Sequence, residues 1–324
     1  MIDLRTTFWL LIFLLPMADQ RKAHAQNNTT EEEVTLTMAT GTLHGTLALP
    51  DKPAPVPVVL FVSGSGPTDR DGNTRLLPGK NNSLKMLADS LAQYGYASLR
   101  YDKRGIAASK SAVQSEDSLR FEDYVGDAVD WIEQLRQNER FSQIIVLGHS
   151  EGSLIGMLAA REAQTDAYIS VAGMAQPADS LILEQLAPQP DFVKNEANAI
   201  ITSLQQGQVL DSVSQTMMAL FRPSVQPYLI SWFKYRPSDI IQELTQPVLV
   251  VQGTTDLQVK VKEAQRLAKS QPKAELAIIN EMNHVLKTAP TDPQTNLAAY
   301  SNPDLPLTDG LVESITSFLL DKLQ

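Results

Sequence analysis

The chain contains no cysteine. That excludes disulfides, zinc–thiolate sites, a cysteine nucleophile and a lipid anchor on a lipobox cysteine. It does not fix the compartment, because an exported protein need not carry disulfides. Histidine is nearly as scarce, with four in 324 residues. With so few, and with no H-E-x-x-H pattern, no metal site is expected. Basic charge is short as well: 27 Lys and Arg against 37 Asp and Glu leave a formal net charge of -10. An acidic surface of this kind argues against nucleic acid and anionic membranes as partners. Long apolar runs are missing except for one near the N-terminus, Phe8 to Leu15 extended by Pro16, Met17 and Ala18. That run is too short to cross a bilayer as a stable helix. The remaining composition, 43% hydrophobic and 20% charged, is ordinary for a soluble globular chain. The length suffices for one large domain or one domain with an insertion.

The N-terminal run has the features of a secretory signal peptide. Arg5 supplies a weak basic n-region, Phe8 to Ala18 the apolar segment, and Ala23-His24-Ala25 an A-x-A cleavage site. Cleavage after Ala25 leaves Gln26 as the first mature residue and predicts a periplasmic or secreted protein with no stable membrane insertion. Arg21-Lys22, between the apolar run and the cleavage site, resists translocation and leaves an uncleaved anchor as the alternative. Residues 26–33, rich in Asn, Thr and Glu, read as a flexible leader.

Beyond the leader, apolar strand-like runs alternate with segments of helical spacing. Val34 to Ala39 and Thr42 to Leu49 read as an antiparallel hairpin, and Pro50 to Pro57 as a connector. Val58 to Val62, Tyr96 to Tyr101, Ile144 to Leu147 and Tyr168 to Val171 read as buried strands. Ser83 to Tyr94 and Phe121 to Leu135 carry apolar residues at helical intervals. This alternation predicts an α/β fold with a mostly parallel sheet and right-handed crossovers. It breaks after Gly173. Residues 178–243 show helical periodicity without a convincing strand and are too long for a plain loop. They are read as a helical cap inserted between a first core part, 34–177, and a second, 244–324. In the second part, Pro247 to Val251 and Leu276 to Ile279 read as strands, and Lys262 to Lys269 and Leu311 to Leu323 as helices.

The most informative segment is Gly148-His149-Ser150-Glu151-Gly152, a G-x-S-x-G pattern between an apolar strand and a helix. That context is the one a nucleophile elbow requires. The glycines permit a turn so sharp that bulkier residues would clash. A serine hydroxyl needs a base, and the base needs an orienting acid. His24 leaves with the signal, His44 precedes the core, and the His149 side chain is expected to point away from the hydroxyl. His284, after the last core strand, remains as the base. Asp256 lies at the end of the strand before it, following Gln252-Gly253-Thr254-Thr255, and is the first choice of acid, with Glu281 and Asp292 as weaker ones. The order Ser150, Asp256, His284 is the chain order of α/β-hydrolases rather than of chymotrypsin or subtilisin. An oxyanion hole needs two N–H groups aimed at one point. Glu151 supplies one, and the turn Ser63-Gly64-Ser65-Gly66-Pro67 the other, through Ser65 first and Gly66 second. Gly64 and Gly66 also allow substrate to approach the backbone. A phosphate cradle is disfavoured, since no G-x-x-x-x-G-K-[ST] pattern is present and Pro67 lacks an N–H.

Taken together, Ser63 to Asn73, Arg100-Tyr101-Asp102-Lys103-Arg104-Gly105, Gly148 to Gly152, Gly253 to Asp256 and Asn283-His284 resemble the α/β-hydrolase superfamily, and within it an exported bacterial esterase-like branch. Ser-Gly-Pro followed by Asp-Arg-Asp-Gly is the most specific element, and Ser231-Trp232-Phe233-Lys234-Tyr235 is also similar. The resemblance implies carboxylesterase activity on short acyl chains without a cofactor. Two positions depart from the pattern: Ile106-Ala107-Ala108-Ser109 replaces a glycine-rich turn, and Ser153 stands where glycine is common.

Asp69, Arg70 and Asp71, and likewise Asp102, Lys103 and Arg104, are read as loop-pinning ion pairs. Trp232 is a candidate acyl-pocket residue, though packing within the cap is the preferred role for it and for Phe233 and Tyr235. The expected activity is hydrolysis of a small-molecule ester through an acyl-enzyme on Ser150. Alternatives are a peptidase, thioesterase or acyltransferase with the same triad, and a non-catalytic binding protein on the same fold.

Overall fold

The computed structural model describes residues 29–323; the signal segment and its cleavage site lie outside them. One eight-stranded sheet organises the chain, in the order β1-β2-β4-β3-β5-β6-β7-β8. β1 (Thr30–Met38) and β2 (Gly41–Leu49) form an antiparallel hairpin on one edge, with β2 antiparallel to β4 (Ala97–Tyr101). From there all pairings are parallel, through β3 (Val56–Val62), β5 (Phe141–His149), β6 (Ala167–Val171), β7 (Val248–Gly253) and β8 (Glu275–Ile279). The central strands are apolar on both faces because both are covered. On one face, α2 (Phe121–Arg136) and α3 (Glu151–Ala163) pack through Tyr124, Trp131, Ile132, Leu154, Ile155 and Leu158. On the other, α1 (Ser83–Gln93) and the C-terminal helix pack through Leu84, Leu87, Leu91, Ile315 and Leu319.

Between β6 and β7, residues 178–243 hold helices only: α4 (Ala178–Leu186), α5 (Asp191–Gln205), the short α6 (Met218–Phe221), α7 (Gln226–Trp232) and α8 (Pro237–Ile240), with short 3-10 turns. The entry into this segment is tied to the core by Glu263 of α9 (Val261–Ser270), whose buried carboxylate accepts the N–H groups of Ala175 and Gln176, both at 3.0 Å. After β8 the chain adds α10 (Pro293–Ala298) and closes with α11 (Leu311–Lys322).

The leader expected over 26–33 is corrected at its end, because β1 begins at Thr30 and pairs in register with Leu49. The acidic run that suggested a solvated leader has partners supplied by the fold. Glu31 bonds Lys85 at 2.8 Å and Arg100 at 2.7 Å, Glu32 bonds Arg140 at 3.0 Å, and Glu33 bonds Arg70 at 3.0 Å. Among the described residues no helix is long and apolar enough to cross a membrane.

Candidate active site

The site is assembled at the C-terminal ends of the parallel strands, where ligands bind in open α/β sheets. Ser150 stands between β5 and α3 at φ 56°, ψ -122°, a conformation that a non-glycine residue holds only when its surroundings enforce it. Enforcement comes from close backbone packing. A Cβ on Gly148 would lie 2.1 Å from the carbonyl oxygen of Gly152, and one on Gly152 would lie 2.2 Å from that of Val62. The Ser150 N–H donates to the Val171 carbonyl at 2.9 Å and locks the elbow to β6. The turn therefore presents the hydroxyl while its backbone is fixed from below.

Asp256 follows β7 in a loop shaped by its own carboxylate. Oδ1 accepts the N–H groups of Gln258 (2.7 Å) and Val259 (2.9 Å), and Oδ2 accepts Gln252 Nε2 (3.0 Å) and His284 Nδ1 (2.8 Å). Burial pushes this carboxyl up, but His284 and the two backbone donors outweigh it and hold the group below the usual carboxylate value. Because Nδ1–H of His284 is held by Asp256, Nε2 is the nitrogen left to act as base. The base loop is fastened to the acid loop. Met282 O accepts Thr255 N at 3.2 Å, Thr254 Oγ1 accepts Glu281 N at 2.8 Å, and Asn283 Oδ1 accepts the N–H groups of Val285 (3.1 Å) and Lys287 (3.0 Å). Glu281 and Asp292, the alternative acids, are not on the base: Asp292 caps α10 through Thr295 N at 2.9 Å.

The structure thus brings Asp256 and His284 together beside the elbow. His149 makes the connection: its Nε2–H donates to the His284 carbonyl at 2.8 Å, and the two rings pack 4.9 Å apart. Burial first, and His284 second, depress His149 to about 3, so it is neutral at physiological pH. No hydrogen bond joins Ser150 Oγ to His284 among the described residues; such bonds commonly tighten only when substrate is bound.

The loop after β3 lies against the nucleophile, since a Cβ on Gly64 would come within 3.2 Å of Ser150 Cβ. Ser65 and Gly66 are exposed, and neither N–H has a hydrogen-bond acceptor among the described residues. The same is true of the Glu151 N–H at the start of α3. The Glu151 side chain is buried and engaged: Oε2 pairs with Lys103 Nζ at 3.0 Å and Oε1 accepts the Tyr228 hydroxyl at 2.7 Å. Beside these, Arg70 pairs with Asp102 (3.0 Å), Asp71 with Arg100, and Arg104 with Asp127. Asp69 closes the turn by accepting the N–H groups of Asp71 and Asn73.

Trp232 packs within the cap, the role preferred for it from the sequence. Its ring stacks on Phe121 at 5.9 Å and 4°, in a cluster with Tyr228 that seals α7 against α2. Three residues that sequence reasoning missed as site residues touch the machinery: His149, Lys103 and Tyr228. His149 had a signal, its place in the elbow motif, but its partner is 135 residues away. Among the described residues no cluster of three or more His, Asp or Glu is arranged to hold a metal ion.

Comparison with known proteins gives the class of fold. The family model for serine aminopeptidase S33, Hydrolase_4, matches residues 80–224, which include the elbow and stop short of Asp256 and His284. The chain is 24% identical over 260 residues to Esterase EstD of Thermotoga maritima, over 75% of this chain, and it spans 58% of the length of that relative. Among solved structures it is similar to Est1E from Butyrivibrio proteoclasticus, with a TM-score of 0.58 and 17% identity over 90% of this chain and 98% of that one. Dienelactone hydrolase from Anabaena variabilis superposes with a TM-score of 0.54 and 17% identity, over 91% and 99% of the two chains. The fold is an α/β-hydrolase fold: a predominantly parallel sheet with flanking helices.

Proposed function

We propose that this protein is a serine hydrolase that cleaves carboxylic esters, with Ser150 as nucleophile, His284 as base and Asp256 as the orienting acid. The observation that carries the reading is the 2.8 Å bond from His284 Nδ1 to Asp256, formed in a loop that His149 fastens to the elbow. In the reaction Ser150 Oγ attacks the ester carbonyl as His284 Nε2 takes its proton. The oxyanion accepts the N–H groups of Glu151 and Ser65. His284 then protonates the leaving alkoxide and activates water to release the acid from Ser150. The esterase names of the relatives favour an ester substrate. The N-terminal signal pattern supports export, with action on a small-molecule ester of short acyl chain outside the cytoplasm.

The family model's description favours a second reading, an aminopeptidase. Such an enzyme needs a carboxylate for the substrate's terminal ammonium. Glu151, which follows the nucleophile in sequence, is already engaged by Lys103 and Tyr228, which favours the ester. The test compares the purified protein with Ser150→Ala on p-nitrophenyl acetate, butyrate and octanoate, and on an aminoacyl p-nitroanilide. Ester turnover that falls with chain length and vanishes in the variant is the expected result. Faster cleavage of the anilide would replace the ester reading with the peptidase, and equal negligible rates for both proteins would remove both.

A further inference from the structure

The ammonium of Lys103 lies beneath the site, 1% exposed, and donates to two acceptors. One is the carbonyl oxygen of Gly64 at 2.5 Å, and the other is Glu151 Oε2 at 3.0 Å. It also sits 4.9 Å over the ring of Tyr124. The two contacted residues flank the nucleophile on different elements. Gly64 belongs to the loop after β3 and Glu151 begins α3.

A peptide unit is planar and trans, so its C=O and N–H point in opposite directions. Lys103 grips the carbonyl of the Gly64–Ser65 peptide from the buried side. The N–H of that peptide, on Ser65, is therefore turned away from Lys103 towards the exposed side, where it has no acceptor among the described residues. Glu151 carries the other free N–H next to Ser150, and its side chain fixes the same ammonium. The Tyr228 hydroxyl, on α7 of the cap, completes the carboxylate's hydrogen bonding at 2.7 Å. Among the described residues the Gly64 carbonyl accepts no other hydrogen bond, so Lys103 sets the rotation of this peptide.

We infer that Lys103 is a positioning residue for the oxyanion hole: it orients the Ser65 N–H through the Gly64 carbonyl and couples it, through Glu151, to the second donor. The inference rests on the serine hydrolase reading. A donor that must meet a developing oxyanion acts in the transition state, so its misalignment lowers kcat rather than raising KM.

The test uses Lys103→Met and the double variant Lys103→Met/Glu151→Gln, which leaves no unpaired charge buried and so keeps the measurement open if the single variant fails to fold. Active sites are counted with a fluorophosphonate. Turnover of p-nitrophenyl butyrate per counted site and the inhibition constant of a short-chain trifluoromethyl ketone, whose hemiketal oxyanion occupies the hole, are then measured. The expected result is a loss of at least about tenfold in kcat per site with KM little changed. Ketone affinity should weaken by a similar factor. A folded double variant with wild-type kcat per site overturns the inference, as does a kcat loss with ketone affinity unchanged. Wild-type protein inert towards esters would instead overturn the underlying reading, so the two failures are distinct.

Discussion

His149 donates its Nε2–H to the main-chain carbonyl of His284 at 2.8 Å, so the residue before the proposed nucleophile holds the proposed base. The bond spans β5 and the loop after β8, and it fixes the height of the base above the elbow. His149→Phe keeps the ring packing and removes the donor, leaving a buried carbonyl unpaired. The variant is expected to lose about 1–3 kcal/mol of stability. A fall of about tenfold in kcat should accompany it, as expected for a displaced base. Urea unfolding and ester kinetics read the two effects separately.

The same residue confers acid sensitivity. Its folded-state value, about 3, lies below the ordinary 6.5 of the unfolded chain. The unfolded state therefore takes up the proton first. The contribution is whole above pH 6.5 and is lost as the pH falls from 6.5 towards 3, with a limiting slope of about 1.4 kcal/mol per pH unit. Unfolding free energies at pH 7 and pH 5 should converge between wild type and His149→Phe. An unchanged gap would exclude His149 as the source.

Lys287 follows the same sign in a higher pH range. It is fully buried, donates to Leu305 O and Met86 Sδ, and pairs with no carboxylate among the described residues. Burial lowers it to about 8 from 10.5. Below pH 8 both states hold the proton and the folded protein bears the full desolvation penalty; stability recovers as pH rises from 8 to 10.5. Lys287→Met should raise Tm at pH 7, and its advantage should shrink by pH 10.5. A Tm difference constant with pH would count against this account.

Asp256→Asn retains the size of the acid and removes its charge. The amide favours the wrong imidazole tautomer, and kcat should fall about 10³- to 10⁴-fold, the scale known for serine proteases. The four donors on the wild-type carboxylate make this loop sensitive to the change, so circular dichroism should accompany the kinetics.

Ala107 has a φ of 42°, in the left-handed region, within a turn where the α/β-hydrolase resemblance implies glycines. An L side chain is disfavoured there, by about 1–2 kcal/mol. Part of that is offset by glycine's greater freedom in the unfolded chain. Ala107→Gly is expected to stabilise the protein by about 0.5–1 kcal/mol, seen as a small rise in Tm. A loss of stability would mean that neighbours have adapted to the methyl group.

The sequence by itself determined the strands, the major helices and the elbow, because each is written in local spacing: apolar runs for the two-sided strands, helical intervals for α1 and α2, and glycines two residues either side of Ser150. Scarcity did the rest. With four histidines in the chain, elimination led to His284, and strand order led to Asp256. What only the tertiary structure decided are the contacts between distant residues. Lys103 meets Glu151 across 48 positions, Tyr228 meets Glu151 across 77, and His149 meets His284 across 135. The acidic run Glu31 to Glu33 read as a leader because its cationic partners lie on α1, on β4 and in distant loops, and the cap packing preferred for Trp232 acquires its partner, Phe121, only in the fold. Periodicity reports which face of an element is buried. It carries no information about which buried polar groups meet, and that pairing sets the geometry of the site.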